Sequence, residues 1–540
     1  MPAVHSFDVF DTVLTRTVGD PRTVLALWAR RAVERWGLAV DVRALATCRH
    51  RTERELNAWG DRHAPLAEIH AEVARRHGWA PERAEALAAL EEEVERELIC
   101  ALPGAEALLA EPRRTGAPVV FVSDTPHRTE FVRERLEAAG VWRPGDRVFT
   151  SSAYGASKSR GGLFRRVAEE LGSPEVLHHG DDVHSDVATA RLERWRARWV
   201  TSGRLSRYES TLVDSQDSTG DLGSFLAGSA RLGRTRASAA GMPGAVASVT
   251  AGVMAPLLVG YVTWCLRRAQ QQGLTRLYFV ARDGEVMLRV AQAFSWLAPD
   301  VELRYLWGSR QPWVLGASAA HPELLRTWVL GRTDFTAETA LGRLGLSAAE
   351  LYAATGFAAA GPERAGTVMS RAEREELADL VQRPPWVETV HAASAAVAER
   401  CTAYLEQEGL LRDGAFGLVD AGWSGRASAA LDHLVRAAGG EPGTHFYVGQ
   451  LGRAEEAGVR SGVRIEPWLF DRQAHPGSLG DLTSPNVLVE MFCAGTTGRT
   501  VDYRREGGAM VPVLDREENT EALDWGIRPV HDLAVEVAER

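Results

Sequence analysis

The first 200 residues alternate short apolar runs with segments of helical periodicity, and this alternation restricts the fold more than any other feature. The apolar runs have the length of buried strands, and the segments between them repeat apolar residues every three to four positions. Strands are predicted at 5–10, 118–123, 147–151, 175–179 and 198–201. Parallel strands need crossover helices, so this pattern predicts an α/β fold with a parallel sheet.

A long helical stretch separates the first two predicted strands. Segments such as VLALWARRAVERWG and AEALAALEEEVEREL carry 3.6-residue apolar spacing. We interpret residues 18–110 as an all-helical cap inserted after strand one. The acidic run within it, Glu91, Glu92, Glu93, Glu95 and Glu97, is predicted to be a solvated helix face.

A change in composition marks the predicted domain boundary. Residues 202–244 are rich in Ser and Gly and lose periodicity, which is typical of a linker after a domain spanning 1–201. Beyond it, residues 245–540 are predicted to form a second α/β domain with a helical insertion at 322–409. Its strands are predicted at 276–281, 302–306, 416–420, 445–449 and 463–469.

Charge and cysteine usage exclude several classes of protein. The formal net charge is -10 and there are no blocks of Lys and Arg, so we expect neither a general nucleic-acid binder nor a protein of anionic membranes. The 5 cysteines are widely spread without metal-ligand spacing, and the N-terminus lacks a signal-peptide pattern, so a reducing cytoplasm is expected. The uncharged stretch 237–266 is long enough to cross a bilayer, but its Gly, Pro, Ser and Thr favour a buried helix.

Polar residues with chemical potential follow the predicted strands in a fixed order. Asp8 and then Thr12 follow the first, and Ser123 and Asp124 follow the second. Lys158, the single lysine among 62 basic residues, precedes a helix. A later strand is followed by a cluster of acids: Asp181, Asp182 and Asp186. Ligands bind at this edge of open parallel sheets, so we expect these side chains to form one site.

This order resembles the haloacid dehalogenase-like (HAD) hydrolase superfamily over residues 4–201. The resemblance implies a Rossmann-like core, a nucleophilic Asp8, a hydroxyl motif at Ser123, the motif lysine at Lys158, and an acidic metal motif at Gly180, Asp181 and Asp186, with Asp182 as an alternative ligand.

The residue types fit that chemistry. A carboxylate attacks phosphorus when a divalent cation screens the two anions from each other, and the product is an aspartyl-phosphate. Mg²⁺ prefers oxygen ligands, which Asp8, the backbone carbonyl of Phe10, Asp181 and Asp186 offer. Lys158 would neutralise charge and Ser123 would donate a hydrogen bond to the transferring group.

One position departs from the pattern of the phosphatases in this superfamily. Two residues after the nucleophile they carry a second aspartate as general acid, and here that position is Phe10, which cannot transfer protons. The first interpretation is a phosphatase or phosphotransferase in which the leaving group needs no protonation, as in an anhydride or anomeric phosphate, or in which Asp11, Asp124 or His127 substitutes. The second is a dehalogenase, because the dehalogenases of the superfamily also lack this acid, but they work without metal and lack the acidic cluster. The third is a binding or scaffold protein that binds phosphate without turnover.

Arg16 and Thr12 are predicted substrate contacts.

The second domain carries weaker signals of an anion site. Arg282 and Arg310 each follow a predicted strand, and DAGWSGR places Gly422 and Gly425 at a strand-to-helix turn. We predict a phosphate or nucleotide-sugar site here, with a residue set of Arg282, Arg310, Asp420, Gly422, Ser424 and Gly425. The layout resembles the companion domain of predicted HAD hydrolases from bacterial polysaccharide and glycosyltransferase contexts. The overall expectation is a Mg²⁺-dependent hydrolase of a phosphorylated small molecule, such as a sugar phosphate or nucleotide-linked sugar.

Overall fold

A computed structural model describes residues 3–58, 61, 63–172, 175–330, 334–412, 414–451, 462–471 and 485–540. The chain divides into two compact units, which we call unit 1 (1–256 with 536–540) and unit 2 (257–535). Each unit contains a parallel sheet flanked by helices, which confirms the predicted α/β fold class.

The strands of unit 1 form a central sheet and a small ribbon. In chain order they are β1 (Val4–Phe7), β2 (Leu14–Arg16), β3 (Ile99–Ala101), β4 (Val119–Ser123), β5 (Arg147–Thr150), β6 (Val176–Gly180) and β7 (Arg196–Trp199). The sheet has the order β5-β4-β1-β6-β7, and its strands are parallel, while β2 and β3 pair antiparallel. Strand β1 therefore lies between β4 and β6, which brings their carboxyl ends to one edge.

The helices of unit 1 fall into an insertion, crossovers and a C-terminal group. The insertion between β2 and β3 contains α1 (Arg22–Trp36), α2 (Val42–Leu56), α3 (Leu66–His77) and α4 (Pro81–Leu98). The crossovers are α5 (Ala105–Thr115), α6 (Thr129–Ala138), α7 (Ser151–Tyr154), α8 (Gly162–Leu171), a π-helical turn (Val183–Thr189) and α9 (Ala190–Leu192). After β7 come α10 (Arg207–Asp214), α11 (Gln216–Thr219), α12 (Leu222–Ala239), α13 (Gly244–Val249) and a π-helical turn (Thr250–Met254).

The acidic face of α4 is only partly the solvated surface that the sequence predicts. Glu97 is exposed and Glu92 and Glu93 are half-buried, but Glu91 is 2% exposed and Glu95 is 4% exposed. The two buried glutamates are matched by buried or partly buried arginines: Arg49 contacts Glu91, and Arg16 contacts Glu95. The prediction was wrong for these two because a run of identical charges does not reveal which members face arginines supplied by distant segments.

Residues 202–244 are not an irregular linker, so that prediction was also wrong. They contain α10 to α12, and the glycines and serines of α12 are mostly buried. A Cβ on Gly228 would overlap the backbone of Thr17, and a Cβ on Gly19 would lie 2.6 Å from that of Ala227. The small residues therefore permit close packing of α12 on the segment after β2. Composition alone predicts a loop for the same residues.

One helix among the described residues, Gly244–Gln271, is long and apolar enough to cross a membrane by length and composition. More than half of its most apolar window is buried inside the protein, as in the core helix of a soluble domain. This agrees with the buried helix that the sequence favours.

Unit 2 repeats the parallel architecture. Its strands are β8 (Arg276–Val280), β9 (Glu302–Leu306), β10 (Phe416–Trp423), β11 (Thr444–Gln450), β12 (Ile465–Asp471), β13 (Thr500–Glu506) and β14 (Ala509–Leu514). The parallel sheet has the order β12-β11-β10-β8-β9, and it overlaps all five strands predicted from the sequence. The antiparallel hairpin β13–β14 was not predicted.

Helices surround this second sheet. They are α14 (Ala255–Gln271), which begins at the unit boundary, α15 (Gly284–Ala293), a 3₁₀ turn (Ser295–Leu297), α16 (Arg310–Ala317), α17 (Glu323–Leu330), α18 (Ala337–Arg343), α19 (Ala348–Thr355), a 3₁₀ turn (Ala358–Ala360), α20 (Arg371–Leu380), α21 (Trp386–Glu408), α22 (Arg426–Ala437), α23 (Pro485–Phe492), α24 (Thr520–Trp525) and α25 (Ile527–Glu539). The predicted helical insertion 322–409 corresponds to α17 to α21, between β9 and β10.

Candidate active site

The predicted site of unit 1 lies at the carboxyl edge of its sheet. Asp8 directly follows β1, Ser123 ends β4, and Asp181 directly follows β6. Asp8 is 6% exposed, and its backbone N–H donates to the carbonyl of His179 at 2.8 Å. Parallel pairing of three neighbouring strands is thus what brings these residues, which are far apart in the sequence, to one edge.

Lys158 bridges two of the acidic residues. Its ammonium group donates a hydrogen bond to Asp8 and another, of 2.7 Å, to Asp186 Oδ1. The side chain is buried, and the carboxylate of Asp124 accepts a 2.8 Å hydrogen bond from the Lys158 backbone N–H. Asp124 therefore positions the loop that carries Lys158. The only lysine of the chain lies where its charge neutralises the predicted nucleophile, Asp8.

Three carboxylates form a group that could hold a metal ion. Ligand oxygens of Asp8, Asp181 and Asp186 all lie within 4.8 Å of one another. With the Lys158 ammonium the group has a formal excess of two negative charges, which one divalent cation would balance. The donor set consists of carboxylate oxygens, the ligands that hard divalent cations prefer.

The pKa values within this group diverge. Burial, followed by the neighbouring charges, raises the pKa of Asp181 to about 7 and that of Asp8 well above its ordinary value, although Lys158 opposes the rise at Asp8. Burial also acts on Asp186, but Lys158 and His178 outweigh it and lower its pKa. Asp8 and Asp181 therefore hold a proton more readily than ordinary carboxyl groups, and a divalent cation bound between them would displace it.

Asp186 is held in place from several sides. Its Oδ2 accepts the backbone N–H of Asp182 at 3.0 Å, and its Oδ1 lies 3.2 Å from His178 Nε2. His178 is fully buried and its Nδ1 lies 2.8 Å from the Ser6 hydroxyl. A Cβ on Gly180 would overlap the Asp186 carboxyl group. His178 positions Asp186, a role that its sequence context gave no specific reason to assign.

Asp182, the alternative metal ligand, does not join the group. Its carboxylate accepts hydrogen bonds from the backbone N–H and the hydroxyl of Ser185, at 2.6 and 2.9 Å. It therefore caps the π-helical turn at Val183–Thr189, in the manner of an N-cap aspartate.

Asp11, a candidate acid/base, is bound by other partners, although it lies close enough to Asp181 to help raise the pKa of that residue. The Thr15 hydroxyl donates to its carboxylate at 2.6 Å, and Arg231 of α12 forms an ion pair with it at 2.8 Å. Asp11 also has a positive φ of 57°, so the chain turns at this residue instead of continuing the strand. Thr15 and Arg231 both bind the same carboxylate oxygen of Asp11, Oδ1, and so fix its side chain.

Arg16, predicted to contact substrate, is instead bound to a glutamate of the helical insertion. Its guanidinium makes two 2.8 Å hydrogen bonds to Glu95 and lies 4.4 Å from the centre of the Phe10 ring. His127 Nε2 lies 3.5 Å from the same glutamate. Burial alone would raise the pKa of Glu95, but Arg16 and His127 lower it to about 2. Arg16, Glu95 and His127 thus form an ion-pair cluster beside Phe10.

Three buried polar atoms near the strand tips have no hydrogen-bond partner among the described residues. They are Ser123 Oγ, Thr12 Oγ1 and His127 Nδ1. A buried hydroxyl without a partner is costly, so such atoms are suited to a bound ligand.

The predicted residues of unit 2 also come together. Arg282, Arg310, Asp420, Gly422, Ser424 and Gly425 all line one cleft of about 720 Å³ at the carboxyl edge of the second sheet. The acidic residues Asp283 and Glu490 line the same cleft and were missed by the sequence analysis.

Solved structures similar to this chain are HAD-superfamily hydrolases. A HAD-hydrolase of Bacillus subtilis bound to magnesium is 18% identical with a TM-score of 0.28, and the match covers 37% of this chain and 89% of that one. The L-2-haloacid dehalogenase of Xanthobacter autotrophicus with chloropropionic acid covalently bound is 20% identical with a TM-score of 0.29, covering 42% and 88%. A Clostridium difficile protein described as a phosphatase is 13% identical with a TM-score of 0.25, covering 36% and 83%. No protein-family model and no curated protein matches the sequence.

Proposed function

We propose that unit 1 is a HAD-type, Mg²⁺-dependent hydrolase of a phosphorylated small molecule. The observation that carries the proposal is the buried group in which Lys158 contacts both Asp8 and Asp186 while Asp181 completes a set of three carboxylates. A structural ion-pair cluster usually pairs each charge with an opposite one, whereas this group places three carboxyl groups around one ammonium group.

The residues have separate roles in the proposed reaction. Asp8 attacks phosphorus, the bond from phosphorus to the leaving oxygen breaks, and an aspartyl-phosphate forms that water then hydrolyses. Lys158 holds the nucleophile and neutralises the phosphoryl oxygens, and the Ser123 hydroxyl donates a hydrogen bond to them. Asp8, Asp181 and Asp186 would hold Mg²⁺, which when bound supplies charge neutralisation between nucleophile and phosphate.

The surroundings of Phe10 narrow the substrate class. Asp11 is bound by Thr15 and Arg231, Asp124 is bound by the backbone N–H of Lys158, and His127 Nε2 faces Glu95, so we assign the role of general acid to none of the three. We infer that the leaving group departs without protonation, as from an acyl phosphate or an anomeric sugar phosphate.

Phosphate release from acetyl phosphate, glucose 1-phosphate and glycerol 3-phosphate, with and without Mg²⁺, tests the proposal. We expect turnover of the first two, little of the third, and none after Asp8→Asn. Asp214→Asn is a control of matched charge, since Asp214 is exposed at the end of α10.

Each contrary outcome has a definite meaning. Binding without turnover of any substrate would refute the hydrolase and favour a scaffold that binds phosphate. Halide release from 2-chloropropionate that persists in the presence of a chelator would refute the phosphorus chemistry and favour a dehalogenase.

A further inference from the structure

The cleft of unit 2 has the position of a ligand site in a parallel sheet. Its volume of about 720 Å³ is within the range of small-molecule sites. Residues that follow β8 and β9 line it, and so does the carboxyl end of β10. Strand β8 lies between the other two, so the cleft opens at the carboxyl edge of three adjacent strands.

The cleft is basic although the chain is acidic overall. Its described lining contains five arginines and three acidic residues, whereas the whole chain has a net charge of -10. Helices α16 and α22 begin at the cleft with Arg310 and Arg426, so their N-terminal dipoles add to the positive potential. Gly425, with a φ of 78°, is the N-cap residue directly before α22. Arginines and helix N-termini together favour phosphate.

Two carboxyl groups lie among these arginines. Burial and the charge of Asp420 raise the pKa of Asp283 to about 8, and burial raises the pKa of Asp420 to about 6 despite hydrogen bonds from the backbone N–H groups of Ala421 and Gly422. Carboxylates repel phosphate but exchange hydrogen bonds readily with hydroxyl groups. These two groups are therefore suited to a neutral, hydroxyl-bearing part of a ligand.

The third acid is fixed by a neighbour. Glu490 Oε1 accepts a 2.8 Å hydrogen bond from Trp423 Nε1, and this tryptophan stacks on Phe470. Glu490 therefore anchors α23 to the end of β10 beside the cleft.

We propose that this cleft binds a second ligand, a phosphorylated polyhydroxy compound, with Arg282 and Arg310 on the phosphate and Asp283 and Asp420 on the hydroxyl groups. The proposal does not depend on turnover at Asp8, because the two sites share no residue.

Isothermal titration calorimetry of the full chain carrying Asp8→Asn tests the two halves of the site. The probes are inorganic pyrophosphate, glucose 1-phosphate and glucose. We expect Arg282→Gln and Arg310→Gln each to weaken binding of both phosphate probes about tenfold or more, as for loss of a charge-assisted hydrogen bond. Arg504→Gln, at an exposed arginine of β13 outside the cleft, is the matched control and should leave binding unchanged.

Asp420→Asn should affect the two probes differently. Removal of a negative charge should leave pyrophosphate binding unchanged or tighter, while exchange of a charged hydroxyl acceptor for a neutral amide should weaken glucose 1-phosphate binding several-fold. Equal effects on both probes would refute the assignment of the carboxyl groups to hydroxyls.

Hydrogen–deuterium exchange on the unsubstituted chain provides a test that does not depend on the folding of variants. Pyrophosphate at millimolar concentration should protect peptides covering 280–285 and 422–427. Protection confined to peptides covering 6–13 and 178–187, or no binding of either phosphate probe, would overturn the proposal.

Discussion

Replacement of Lys158 by methionine is the most informative single perturbation of unit 1. The lysine side chain is 3% exposed and contacts both Asp8 and Asp186. Methionine is similar in length and apolar, so the variant removes the positive charge and leaves the volume nearly unchanged. Three carboxylates then remain together without an ammonium group.

The size of the effect follows from the geometry. Opposite unit charges 2.7 Å apart attract by about 6 kcal/mol at an effective dielectric constant near 20. Burial of the ammonium group opposes this by several kcal/mol, and breaking one side of a buried pair costs about 3–5 kcal/mol overall. We therefore expect Lys158→Met to lower the free energy of unfolding of unit 1 by about 3–5 kcal/mol at neutral pH without metal.

Hydrogen–deuterium exchange followed by mass spectrometry measures the change in the free energy of unfolding separately in each unit. Peptides covering β1 and β6 should exchange about 100-fold faster or more, since each 1.4 kcal/mol is about tenfold, while peptides covering β10 should not change. Arg133→Met is the matched control, because its ion pair with Glu137 is exposed and worth about 0.3–0.5 kcal/mol. Added Mg²⁺ should restore part of the protection, because a divalent cation neutralises the same carboxylates.

An increase in exchange of less than about tenfold in β1 and β6 would refute this reasoning, since it corresponds to less than about 1.4 kcal/mol. Equal acceleration in β10 would instead show that the substitution acts through both units and not through the carboxylate group.

Three further substitutions test neighbouring features. Gly180→Ala should displace the Asp186 carboxyl group and lower the melting temperature. In calorimetry, Mg²⁺ should no longer raise the melting temperature of this variant, and an unchanged Mg²⁺ effect would contradict the placement of Asp186. Glu95 has a pKa of about 2 against an ordinary value of 4.5, so it stabilises the fold above pH 4.5 by about 3 kcal/mol, a contribution lost as the pH falls from 4.5 towards 2. Arg16→Gln should flatten the dependence of stability on pH in that window, and parallel curves for the two proteins would argue against the ion pair. Phe10→Asp should introduce turnover of glycerol 3-phosphate, measured as phosphate release, because it supplies a carboxyl group where the general acid is missing; no gain relative to the unsubstituted chain would mean that Arg16 sequesters the new carboxylate.

Residues of the candidate site were predictable where the signal was local. Asp8, Ser123 and Asp181 each follow an apolar run, and parallel strands present such positions at one edge whatever the rest of the chain does. Lys158 was noticeable because it is the only lysine. The roles of Arg16 and Glu95 could not be predicted in the same way, since the two lie 79 positions apart and meet only through packing of α4.

The same distinction separates correct from incorrect predictions elsewhere. Asp181 and Asp182 are neighbouring residues of the same type, and the turn after β6 decides that one faces Asp8 and the other Ser185. The Ser and Gly content of α12 indicated a linker, whereas the structure uses those small side chains for close helix packing.

The sequence by itself determined the α/β class, the order of both sheets' principal strands along the chain, and the residues at their carboxyl ends, because strand periodicity and turn chemistry are encoded over a few neighbouring positions. The tertiary structure alone decided the strand order in space, the burial of Glu91 and Glu95, the pairing of Asp11 with Arg231, and the association of Asp283 with Asp420. Those features depend on contacts between distant segments, whose free energies are fixed by packing and by the exclusion of water, and no local pattern records them.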